Sequence, residues 1–264
     1  MYMTIWEKFE TECTEYLNKK FGNLASFTNA GGSDSTISDI YVRTRKGKEF
    51  YIEAKHSPAQ CGQFVLLPNI STRSFEYSRL NITPLNSAAK TIIRHMNADF
   101  DAYKEAGTTG KDIDLHDGGK IFAEWIIDSY KNKGTIFFIT NDYTILRVDD
   151  FLEYFYVTAK YRVKRSGSSG VGKSNISEVY NHILKSGFNI GSHVMDGAKL
   201  FVTSPDMLHN TRFVFGNYEY MFSQRGSQYE IRKLSNTFNA NVIFSIEKKS
   251  KQGLSDMEFS QFLK

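Results

Sequence analysis

The sequence predicts an α/β fold, and three observations carry that prediction. Two alternating runs, residues 39–43 and 49–53, flank a glycine-containing turn, the pattern of a β-hairpin. Helical patterns at 83–106 and 120–131 then alternate with an apolar strand, TIFFIT, at 135–140. From about Tyr156 the chain turns basic and then into short aromatic-rich strands, which predicts a C-terminal α+β region. The expected division is a domain over residues 1–155, a mixed β-sheet flanked by helices, and a region over 156–264 made of one or two small subdomains.

Taken in order, Thr4 to Glu7 fit a capping box and Gly22 a helix stop, with Trp6, Phe9, Cys13, Tyr16 and Leu17 on one face between them. Residues 27–33, rich in Gly and Asn, read as a loop leading into the hairpin. If Arg45, Lys46 and Gly47 form a three-residue turn with Gly47 left-handed, Asp39 lies opposite Glu53. Ile40 and Val42 then share a face with Phe50 and Ile52, while Asp39, Tyr41 and Arg43 share the other with Glu53, Tyr51 and Glu49. A slip of one residue would mix the apolar set with the charged set, so this register is favoured. Residues 63–67 read as a third strand stopped by Pro68-Asn69, and Thr83-Pro84 as the start of a helix that ends at Gly107. A polar loop at 108–119, a helix at 120–131, and strands at 135–140 and 143–148 complete the first half. The second half holds a helix at 176–185, strands at 211–222, 228–234 and 241–246, and a short helix from Asp256.

Composition bounds what the chain does. Hydrophobic residues make up 41% and aromatics 14% of 264 residues, enough for real cores and against disorder. A net charge of only +4 means that any grip on nucleic acid must come from local clusters. Two cysteines, Cys13 and Cys61, suit a reducing compartment and supply neither a disulfide framework nor zinc spacing. Glu7, Glu10 and Glu12 within the first apolar pattern are unlike a signal peptide, and no apolar run approaches membrane-spanning length. The expectation is a soluble cytoplasmic protein with no membrane partner.

The hairpin register sets two carboxylates side by side, with Lys55 two residues beyond Glu53 on the same face. Such a pair repels and calls for a cation, a shared proton or water. Mg²⁺ answers this, since it takes one or two protein carboxylates and keeps positions for water and phosphate oxygens. Asp followed by Glu-x-Lys on the next strand is the arrangement of metal-dependent phosphodiesterases with a PD-(D/E)xK nuclease core. In that reading Asp39, Glu53 and the Ala54 carbonyl hold the metal, Lys55 positions the attacking water, and Gln63 supports the site or a phosphate. Glu10 either assists the metal from the first helix or is an exposed helical glutamate. From the residues alone, a solvated hairpin face is the competing reading.

A second surface is basic. Between Tyr156 and Ser177 there is no acidic residue, but Lys160, Arg162, Lys164, Arg165 and Lys173 are present. Strand alternation puts Lys160, Arg162 and Lys164 on one face, followed by a Ser/Gly-rich stretch with Ser166 and Ser168. This suits a grip on phosphates, or simply a solvated strand face. Asn236, Asn239 and Asn241 crowd what reads as one turn between strands, where amides can meet base edges or merely form the turn. GSSGVGKS at 167–174 also satisfies the P-loop pattern of an NTPase. Against that stand the charged strand before it, where a P-loop strand is buried and apolar, and the missing downstream strand ending in a magnesium-binding Asp.

SDSTISDI, FYIEAK, QCGQFVLLPN, YRVKRSGS and LSNTFNANVIFSI, with Trp6, Phe9, Glu10 and residues 16–19 of the first helix, resemble type II restriction endonucleases of the HhaI kind. The matched stretches span both ends and the middle of the chain. The resemblance implies a monomeric enzyme with separate catalytic, DNA-recognition and non-specific DNA-binding parts. It would hydrolyse double-stranded DNA with Mg²⁺ at a short palindrome such as GCGC, and a cognate DNA methyltransferase would protect the host. A structure-specific repair or junction nuclease with the same metal site is the nearest alternative.

Overall fold

The computed structural model describes residues 5–30, 36–165, 168–234 and 238–264, without the side chains of 164, 165, 238 and 239. The chain forms two units, Met1–Val163 with Ala240–Lys264, and Lys164–Asn239. The expected boundary at 155/156 is therefore corrected. The strand that begins at Phe155 belongs mostly to the first unit, and the last 25 residues of the chain return to it.

The first unit opens with α1 (Ile5–Phe21), stopped at Gly22, and β1 (Ala25–Asn29). β1 lies where a loop was expected: only Ala25 and Phe27 of it are buried, too short an alternation to read in sequence. β2 (Ile40–Thr44) and β3 (Glu49–Lys55) form the hairpin with the expected register, Ile40 facing Ile52 and Val42 facing Phe50. Gly47 sits at φ +82° in the turn. β4 (Ala59–Asn69) starts earlier than expected and runs through Pro68, which is tolerated where it faces Phe75 of β5 (Ser74–Tyr77). α2 (Ser87–Ala98) starts three residues beyond Pro84 because Asn86, not Thr83, caps it: the Asn86 side chain accepts from the Ala89 N–H at 2.9 Å.

There follow α3 (Phe100–Lys104), β6 (Lys111–Asp112), α4 (Gly118–Asn132), β7 (Thr135–Thr140), β8 (Ile145–Arg147), α5 (Phe151–Tyr154) and β9 (Phe155–Arg165). In the second unit come β10 (Ser168–Ser169), α6 (Ile176–Lys185), β11 (His193–Asp196), β12 (Lys199–Val202), β13 (Arg212–Phe215), β14 (Tyr218–Arg225) and β15 (Gln228–Leu234). β16 (Phe238–Lys248) leads back to the first unit, which ends in α7 (Asp256–Leu263), opened by a Ser255/Glu258 capping box.

The first unit holds two sheets. One runs β1-β2-β3-β7-β8, antiparallel except for the parallel pair β3/β7. Its Ile40, Val42, Phe50, Ile52, Phe137 and Ile139 pack against Phe9, Cys13, Leu17 and Phe21 of α1 and Phe259 and Leu263 of α7. Phe138 and Leu146 point the other way, into a second core with Trp125, Tyr130 and Ile126 of α4. β7 is buried on both faces, which is why it reads as an unbroken apolar run. The other sheet runs β5-β4-β16-β9-β6. At Gly62, φ +96° kinks β4 where a Cβ would approach the Trp125 ring to 2.9 Å.

The second unit is one sheet, β11-β12-β15-β14-β13 with β10 on β15, and every pairing described is antiparallel. A P-loop core needs a parallel sheet, so the NTPase reading of residues 167–174 finds no scaffold here. Among the described residues no helix is long and apolar enough to cross a membrane.

Candidate active site

The hairpin register, extended one pair past Ile40/Ile52, brings Asp39 beside Glu53. The Ala54 N–H donates to Asp39 Oδ2 at 2.9 Å, so β3 itself fixes that carboxylate. Lys55 Nζ lies 2.6 Å from Glu53 Oε1, and the Tyr130 hydroxyl donates to the same oxygen at 3.1 Å. Glu53 is 5% exposed; a carboxylate this buried needs both partners. Behind it the Cys61 thiol donates to the Tyr130 oxygen at 3.9 Å. Ser38, fully buried, bonds Thr135 at 2.7 Å and so ties the segment before Asp39 to β7.

A pocket of about 260 Å³ opens over this cluster, lined by Trp6, Phe9, Glu10, Asp39, Ala54, Lys55, His56, Ala59 and Gln60. The structure thus brings Glu10, Asp39, Ala54 and Lys55 to one cavity. Gln63 is not among them: it is exposed, accepts from Gln60 Nε2 at 3.2 Å, and lines a neighbouring cavity of about 370 Å³ with Gln60 and Tyr130. Trp6, placed on the buried helix face by its spacing, is 56% exposed and meets the edge of the His56 ring at 5.4 Å. The His56 ring meets that of Phe9 in a tilted contact at 4.0 Å and lines the cavity.

Electrostatics mark the cluster as short of positive charge. Burial, then the neighbouring Glu53, push the Asp39 carboxyl up to about 7, with Lys55 and the Ala54 N–H opposing. Glu10 is raised by burial and then by Glu53. Lys55 is opposed by burial, yet its ammonium is held by Glu53, Cys61 and Asp39, and its pKa is raised. Three carboxylates therefore face one lysine. The donor set is entirely hard oxygen, which fits a small divalent cation. Among the described residues no group of three His, Cys, Asp or Glu side chains is gathered closely enough to hold a metal alone.

The basic residues divide. Lys160 and Arg162 lie on β9, and Lys160 pairs with Asp112 at 3.3 Å. Lys173 is exposed in the turn before α6. The Ser168 hydroxyl, expected at DNA, accepts from Arg232 Nε at 2.9 Å. Asn239 and Asn241 are in β16 rather than on a turn. Asn241 is 8% exposed and faces Val65 in the ladder, so it is corrected from a displayed amide to a buried one. The side chains of Lys164, Arg165 and Asn239, with Ser166, Asn236, the Thr4 cap and the stretch 31–35, lie outside the described residues. Sequence reasoning missed Tyr130 and Gln60. Tyr130 lies 77 positions from Glu53 on a helix, and no local pattern links the two.

No family model and no curated protein matches the sequence. A solved structure of HhaI endonuclease in complex with DNA is similar over 98% of this chain and 98% of that one, with 36% identity and a TM-score of 0.72.

Proposed function

Since the chain belongs to the HhaI endonuclease family, we propose that it is a type II restriction endonuclease that cuts double-stranded DNA at a short palindrome such as GCGC. The observation that carries this reading is the Asp39, Glu53 and Lys55 cluster at one end of the hairpin, in a PD-(D/E)xK arrangement. Asp39, Glu53 and the Ala54 carbonyl would hold Mg²⁺, which when bound supplies Lewis-acid charge to the scissile phosphate and lowers the pKa of a water.

The chain's own groups do the rest. The Ala54 N–H and the Tyr130 hydroxyl fix the two carboxylates, so little reorganisation is needed when substrate arrives. Lys55, charged through its carboxylate partners, orients the attacking water and stabilises charge on the phosphoryl oxygens. Phe9, Trp6 and His56 wall the cavity on one side. Gln63 acts from the adjoining cavity, through Gln60 or on a phosphate. Lys160, Arg162, Lys164, Arg165 and Lys173 contact phosphates, and the segments around Ser166 and Asn236 present groups to bases. The enzyme works as a monomer in the cytoplasm, with a cognate methyltransferase protecting the host.

Phage DNA incubated with protein and Mg²⁺ gives discrete fragments on this reading, and sequencing their ends gives one palindrome and one cut position. Cutting confined to junctions or flaps would favour a repair nuclease instead.

A further inference from the structure

On the sheet β5-β4-β16-β9-β6, a row of polar side chains runs outward from the candidate active site. Thr158, Lys160 and Arg162 fall on one face of β9 by alternation. With Ile243 and Ser245 of β16, Gln60 of β4, Asp112 of β6 and Thr109, they line a cleft of about 410 Å³. Gln60 is paired with Ser245 across the ladder, and it also lines the cavity over Asp39 and Lys55. Gln60 is therefore common to the cleft and the candidate active site.

Two observations point to an anion in this cleft. Arg162 Nε is buried and has no hydrogen-bond partner among the described residues. Leaving such a donor unpaired costs about 1–3 kcal/mol, which a turn of the guanidinium toward a ligand oxygen in the cleft would relieve. The cleft also carries two cations against one carboxylate. That carboxylate, Asp112, is at the outermost strand, 83% exposed and already paired with Lys160. Beyond that pair the cleft holds the Thr109, Thr158 and Ser245 hydroxyls, the Gln60 amide and the Arg162 guanidinium.

We propose that this cleft seats a second phosphate of the cleaved strand, flanking the scissile one, held by Arg162 with Lys160 in support. Arg162 is then a positioning residue: gripping the neighbouring phosphate sets the scissile one against Asp39 and Lys55. The proposal rests on the nuclease reading above, and its test separates the two.

Once the cut position is known, cognate duplexes are made in which one phosphate at a time, on either side of the cut, is replaced by a neutral methylphosphonate. Single-turnover cleavage is compared for wild type, Arg162→Ala, Arg162→Lys and Lys160→Ala, with melting curves to confirm folding. Wild type should lose about tenfold or more at one flanking position, the scale of a hydrogen bond to a charged group. Arg162→Ala should lose as much on unmodified DNA and nothing further from that methylphosphonate. Arg162→Lys should recover part of the rate, and Lys160→Ala should show the same coupling more weakly. Strictly additive losses at every position would overturn the proposal. So would an Arg162→Ala enzyme that changes only its ranking of single-base variants of the site, since that would make Arg162 a base reader. If Arg162→Ala fails to fold, additive behaviour of Lys160→Ala at all positions overturns it as well. Wild-type protein that cuts no DNA would sink the nuclease reading and this proposal together, whereas cutting with additive losses sinks this proposal alone.

Discussion

Asp39 carries a proton up to about pH 7 because burial and the neighbouring Glu53 disfavour its charge. Its pKa in the fold lies above its value of about 4 in the unfolded chain. The native state therefore binds more protons than the unfolded state between about pH 4 and 7, and stability from this group falls as pH rises through that window. In the proposed reading a divalent ion takes the proton's place. Without metal, the wild type should lose stability relative to Asp39→Asn as pH rises across the window. The gain in Tm on adding Mg²⁺ should be larger at about pH 8 than at about pH 5, and absent in Asp39→Asn. Thermal melts of the two proteins at both pH values check this, and an equal Mg²⁺ gain at both would count against the assignment. At this scale the sequence was legible for Asp39, Glu53 and Lys55, because strand alternation converts spacing into position. It was silent on Tyr130 and Gln60, whose roles come from packing between segments far apart in the chain.

Among the elements, the hairpin was legible down to its register because one face is apolar and the other charged, so only one pairing segregates them. β1 and the start of α2 were not. Thr83-Pro84 has the chemistry of a helix start, but Thr83 is buried and bonds Ser129 of α4 at 2.9 Å, a tertiary tie rather than a cap. Asn86 caps α2 and also donates to Asp128 at 2.8 Å. Asn86→Ala should therefore destabilise the fold by about 1 kcal/mol or more, while Pro84→Ala, at an exposed position before the cap, should cost less. Chemical denaturation of both variants decides which residue starts the helix, and the reverse ranking would restore the sequence-based start.

For the molecule as a whole, a net charge of +4 makes DNA affinity a matter of placed clusters rather than overall attraction. The two-unit division was only half legible, since local patterns cannot show that residues 240–264 return to the first unit to complete its sheet and core. In the second unit, Lys173 is exposed within a stretch that mimics a nucleotide-binding loop on an antiparallel sheet. Lys173→Ala should weaken DNA binding less than about tenfold and lower the slope of log affinity on log salt by about one. Cleavage should proceed without ATP, and a strict ATP requirement would contradict this account of the unit. The most direct test of the central claim pairs two readings on Glu53→Ala: DNA affinity in Ca²⁺ and single-turnover cleavage in Mg²⁺. If Asp39, Glu53 and Lys55 form the catalytic site, cleavage falls by at least about a hundredfold while affinity changes little. Substantial cleavage by Glu53→Ala would show that the chemistry is done elsewhere.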